Sequence, residues 1–195
     1  MAEAVALAKG LNDVHSLAAA LNFAGFLGHF ERRPVEVERL ASELIELSTR
    51  QSFAFWLAGG EVLRGWARSA SGSPVEGLAW IEDGIADRRA TGSMLLVPYW
   101  LGLKAEALHR MDRVPEALEA LNEAERLAET SGERWWCAEL HRLRAVFLAA
   151  LGADETQIEA AFGDAIRTAQ QQNSISLLRR AEASHAEYRR QRGSR

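Results

Sequence analysis

"PVEVERLASEL" at Pro34–Leu44, "PVEGLAWIEDG" at Pro74–Gly84 and "PEALEALNEA" at Pro115–Ala124 decide the fold. Glu36, Glu76 and Glu116 stand 40 residues apart. The apolar positions behind them recur as Val37/Ala41/Leu44, Gly77/Ile81/Gly84 and Ala117/Leu121/Ala124, at i, i+4 and i+7. That spacing puts one apolar stripe on one face of a helix. A fourth set, Ile158/Phe162/Ala165, is displaced by one residue, a step that the longer turn "GADET" (Gly152–Thr156) absorbs. Upstream of the stripes the same period links Gly25, Gly65, Ala105 and Ala145, small residues in mid-helix where a neighbouring helix can come close.

Prolines are few, at Pro34, Pro74, Pro98 and Pro115, and no β-branched run alternates strictly, so helices dominate. The repeated unit is two antiparallel helices joined by a short turn. First helices are expected at 14–31, 54–71, 95–111 and 134–151, and second helices at 35–50, 74–91, 115–130 and 154–172. One such pair cannot bury its apolar face alone, whereas stacked pairs share a continuous core. The predicted fold is therefore all-α: a right-handed superhelical array of helix pairs with a period of 40 residues, forming a single domain over 1–195. Its repeats are 14–53, 54–94, 95–133 and 134–173. Residues 1–10 match the tail of a second helix, Ala4 lying 40 before Leu44, while 174–192 form a capping helix that thins into Arg189, Arg190 and Arg192. A piece of a longer protein is expected.

The chain has 195 residues, 48% of them hydrophobic and 26% charged, enough to bury a core. A net charge of −4 argues against a nucleic-acid binder, because that affinity rests on Lys and Arg neutralising phosphates. The single cysteine, Cys137, has no internal disulfide partner, the N-terminus lacks a signal-peptide pattern, and "AVFLAAL" is too short to span a membrane. A cytoplasmic protein that does not engage the membrane is expected.

"GERWWCAELHRLRAVFLAAL" (Gly132–Leu151) offers the most tempting constellation, with Trp135, Trp136, Cys137, Glu139 and His141 in seven residues. Shifted back by 80, Trp135 and Trp136 fall on Phe55 and Trp56, Ala138 on Ala58, Leu143 on Leu63 and Arg144 on Arg64. The tryptophans thus hold a repeat position, where a large ring fills the gap between adjacent pairs. Cys137 and His141 share a helix face, but zinc wants three or four protein ligands, and no HExxH, CxxC or second His accompanies them. Glu82, Asp83 and Asp87 read as a solvated helix face rather than general acid–base groups. Gly59-Gly60 belongs to no phosphate-binding motif, and His15, His29, His109 and His185 are scattered. No catalytic residue, cofactor or metal is expected.

The period and the helix pairs resemble tetratricopeptide repeats, lengthened from 34 to about 40 residues. "HSLAAALNFAGFL", "FWLAGGEVLRGWA", "VPYWLGLKAEAL" and "SGERWWCAELHRL" further resemble the C-terminal repeat region of bacterial multidomain signal-transduction ATPase regulators, of the adenylate/guanylate cyclase-linked or maltose-regulator/LuxR type. The resemblance spans nearly the whole chain and implies a helical interaction or regulatory arm, with ATPase and output chemistry elsewhere. In tetratricopeptide proteins the first helices line a concave groove. Carried over, this makes Asn22, Phe26, His29, Trp66, Tyr99, Glu106, His109, Arg110, Glu139 and Arg142 the partner-binding candidates, with Phe26, Trp66 and Tyr99 as aromatic anchors. The partner is expected to be a protein, a peptide or another domain of the parent chain. A free-standing adaptor is the alternative. A small-molecule-sensing domain, or a metal-dependent enzyme using Glu139, His141 and Cys137, stands further back.

Overall fold

The computed structural model describes residues 2–11 and 13–193, and among these every regular element is a helix. The chain falls into two compact units, Met1–Met94 and Leu95–Arg195. The first holds α1 (Ala2–Gly10), α2 (Val14–Phe30), α3 (Pro34–Gln51), α4 (Ala54–Ala70) and α5 (Pro74–Ala90). The second holds α6 (Val97–Arg110), α7 (Val114–Ser131), α8 (Cys137–Ala150), α9 (Glu155–Gln171) and α10 (Ile175–Gly193). Within each unit successive helices pack on one another, as the apolar stripes require.

The 40-residue period is written into the backbone. Arg32, Gly72, Asp112 and Gly152 all take the left-handed conformation and close the turn inside each pair. Beside them the amides of Arg33, Ser73, Arg113 and Ala153 donate to the carbonyls of Gly28, Arg68, Leu108 and Leu148 at 2.9–3.0 Å. This is the bond that ends a helix by satisfying its last carbonyls. Between pairs, Ser52, Gly92, Gly132 and Asn173 are left-handed as well, the last one residue late. That single-residue slip is the one expected after "GADET", where Asp154 caps α9 by accepting from the Thr156 amide.

All twelve stripe residues of the second helices are buried. Each large aliphatic among them contributes about 1.5–3 kcal/mol relative to an exposed position. The small residues upstream lie at the expected close approaches. A Cβ on Gly65 would stand 2.5 Å from the Gly77 carbonyl oxygen, and one on Gly25 would stand 2.7 Å from Leu63 Cδ1. Ala105 and Ala145 are fully buried.

Two first helices start later than expected. α6 begins at Val97 because Leu96 is left-handed and Pro98 sits in the first turn. α8 begins at Cys137, so Trp135 and Trp136 belong to the turn ahead of it rather than to its head. The Glu133 carboxylate organises that turn, accepting from the Leu96 amide at 2.9 Å and from the Trp135 indole at 3.2 Å. α10 is more than a solvated cap: Leu177 and Ala181 are buried, and the helix packs on α8 and α9.

Candidate functional site

The tryptophan pair is a packing device. Trp136 is buried, edge-on to the buried Tyr99 at 5.2 Å, and seated on α6 where a Cβ on Gly102 would lie 3.3 Å from its indole nitrogen. Trp135 remains 39% exposed at the edge of this cluster. In the first unit, Phe55 and Trp56 make the corresponding edge-on pair, and the Arg88 guanidinium lies over the Phe55 ring at 3.4 Å.

The three aromatic anchors read from the sequence are core residues. Phe26, Trp66 and Tyr99 are 5%, 1% and 0% exposed. Their rings turn inward because a first helix packs against its own partner and against a neighbouring first helix, α2 on α4 and α6 on α8, leaving little free face. Asn22, His29, Glu106, Glu139 and Arg142 are buried too, and of the ten candidates only His109 and Arg110 reach the surface. In the first unit the structure brings His29 edge-on to Trp66 at 4.6 Å.

In the second unit the candidates form a charged network. Arg142 donates twice to the Glu139 carboxylate, at 2.9 and 2.8 Å, and a third time to Ser184 Oγ at 3.1 Å. Arg180 reaches the same carboxylate at 2.9 Å, and Arg110 pairs with Glu106 at 3.2 Å. Burial alone would lower the Arg142 pKa, but the Glu139 charge and hydrogen bonds, with Glu106 behind them, hold it above its ordinary value. Glu139 is thereby committed to two guanidinium groups, and it is no free base. His109 lies 4.5 Å from the Phe147 ring. Burial and the Arg110 charge lower its pKa against the pull of Asp112 and Glu106, so the ring is neutral at pH 7.

The set Cys137, Glu139, His141 is not assembled. His141 turns to Glu125, 3.5 Å away, while Glu139 faces Arg142 and Arg180. Burial, with Glu125 adding to it and Arg134 opposing, raises the Cys137 thiol above its ordinary value and leaves it protonated. Among the described residues no group of three or more His, Cys, Asp or Glu is placed to hold a metal ion, and no helix is long and apolar enough to cross a membrane. Glu82, Asp83 and Asp87 are exposed, as a solvated face should be. Nearby Glu61 is half-buried, and burial, with the Asp87 and Asp83 carboxylates adding to it, raises its pKa to about 7.

Beside the charged network lies a cleft of about 740 Å³ in the second unit. Val146, Ala149, Phe162 and Tyr188 supply apolar walls, and Ser184, Glu187, Arg190 and Gln191 of α10 line it with polar groups. Of the sequence candidates only His109 lines it. Ser184 and Tyr188 were legible as an i, i+4 pair within "SHAEY", but the arginine-rich end of α10 read as pure solvent cover.

No protein-family model matches the chain. An uncharacterized protein of Rhizobium meliloti (strain 1021) is 30% identical over 182 residues, which is 93% of this chain. The chain spans 17% of that relative's length. Among solved structures, the apo form of RapI superposes with a TM-score of 0.53 over 99% of this chain and 83% of its own, at 11% identity. That likeness, together with the helix pairs, establishes a helical-repeat fold.

Proposed function

We propose that this chain is a non-catalytic, cytoplasmic protein-interaction segment of a larger signalling regulator, and that the second unit receives a peptide or helix in the cleft beside α10. The occupant belongs to a partner protein or to another domain of the parent chain. The observation that carries this reading is the cleft itself, whose apolar walls and polar, charged rim are the anatomy of a protein-binding patch. The chain's coverage of only 17% of its relative is in keeping with a segment of a long protein. The "GERWW" resemblance favours a signal-transduction ATPase parent. In this reading His109 contacts the partner, while Glu106 with its Arg110 pair, Glu139 and Arg142 hold the helices that frame the cleft. Asn22, Phe26, His29, Trp66 and Tyr99 then serve as scaffold.

The test is crosslinking of the purified chain in source-cell lysate, comparing the parent with an Arg190→Glu/Gln191→Glu variant, two residues that line the cleft. Both positions are exposed, so the fold should be kept. The expected outcome is loss of crosslinked partners at unchanged helical content. Partners retained by the folded variant would move the interface away from this cleft.

A further inference from the structure

α2 presents a stripe that every other first helix buries. Forty residues apart, the set Ala19/Phe23/Leu27 becomes Gly59/Leu63/Ala67, then Tyr99/Leu103/Ala107, then Glu139/Leu143/Phe147. All nine residues of the latter three sets are buried. Phe23 is 52% and Leu27 39% exposed. In the first unit the cover for this stripe is visible: α2 lies on α4, with Gly25 against Leu63 and His29 against Trp66. In the second unit α6 covers α8 in the same way, with His109 against Phe147.

α1 already fills the place of a second helix next to α2, but among the described residues nothing stands to α2 as α2 stands to α4. The same vacancy marks α1. Leu47 of α3 is buried against Ala18 and Leu21 of its own first helix, whereas Leu7, its counterpart 40 residues earlier, is 65% exposed. Leu27 also walls a cleft of about 580 Å³ with Val5 and Ala6 of α1. Exposed large apolar side chains at i, i+4 cost solubility unless covered.

We infer that Phe23, Leu27 and Leu7 are the seat of one further helix, the first helix of a preceding repeat in the same polypeptide. It carries a small residue 40 positions before Gly25, so that it rests on Phe23 as Gly25 rests on Leu63. This rests on the reading of the chain as a segment of a longer protein, not on the cleft at α10.

The experiment places a cysteine at the seat by Phe23→Cys in a Cys137→Ser background, and follows maleimide labelling. It compares the 195-residue chain with the polypeptide of the complete reading frame, and uses Ala67→Cys, at the buried counterpart of Leu27, as the protected control. The expected result is fast labelling in the 195-residue chain and labelling slowed about tenfold or more in the longer polypeptide, as for a site reached only by local opening. Equal labelling in both overturns the inference, as does a reading frame that opens at Met1 or lacks the small-residue helix upstream. Protection in the 195-residue chain together with a dimer mass in sedimentation assigns the seat to a second copy, and also overturns it. None of these outcomes involves a partner at the α10 cleft.

Discussion

α4 and α5 meet through glycine, whereas α6 and α7 place alanine at the same repeat positions. Gly65, Gly77 and Gly84 in the first pair become Ala105, Ala117 and Ala124 in the second. In the glycine pair a Cβ on Gly65 would press on backbone, 2.5 Å from one oxygen and 2.9 Å from the Ile81 nitrogen, and one on Gly84 would stand 2.8 Å from the Ala58 oxygen. The alanine pair carries real Cβ atoms at these points, so its backbones cannot approach as closely. Its own close-packed glycine is turned elsewhere, since Gly102 receives Leu140 of α8 and Trp136 of the turn ahead of it. One period thus supports two kinds of close contact: backbone against backbone within a pair, or a large ring seated from the turn ahead of the next first helix.

The largest effect should come from removing that ring. Trp136→Ala empties the space over Gly102 and should cost about 3–5 kcal/mol in urea denaturation. Next is the glycine contact, where Gly65→Ala forces α4 and α5 apart and should cost about 3 kcal/mol. The reciprocal Ala105→Gly removes only helix propensity and one small contact, about 1 kcal/mol. Equal costs for the two changes would erase the distinction between the pairs.

The smallest effect concerns Glu61 on the glycine-closed α4. Its folded-state pKa, raised from 4.5 to about 7, means that the folded chain holds this proton more tightly than the unfolded one. The group's contribution to stability is therefore fullest below about 4.5 and is lost as pH rises through 7. Glu61→Gln should stabilise the protein at pH 8 and leave it unchanged near pH 4. Solvent screening of a half-buried carboxylate keeps the gain under about 1 kcal/mol.

The period, the helix pairs and the buried stripes were legible because a 40-residue repeat shows each position several times. The left-handed turn residues obey the same period, yet glycine stands only at Gly72 and Gly152 while Arg32 and Asp112 hold the other two turns, so residue type alone does not announce them. What the sequence hid was the second packed face of the first helices. Large rings at Phe26, Trp66 and Tyr99 fit an open groove and a neighbouring helix equally well, and only the packed neighbours decide between them. The network around Glu139 was hidden for another reason, since Arg180 and Ser184 lie more than 40 residues away on a helix that looked like solvent cover.

The central claim is that the first-helix aromatics hold successive helix pairs together rather than meet a partner. Trp66→Ala tests it most directly, because this ring is 1% exposed and stands edge-on to His29 of the preceding first helix. Denaturant unfolding of this variant should show a loss of about 3–5 kcal/mol. A variant that keeps the parent's stability and instead loses its bound partner would contradict the account.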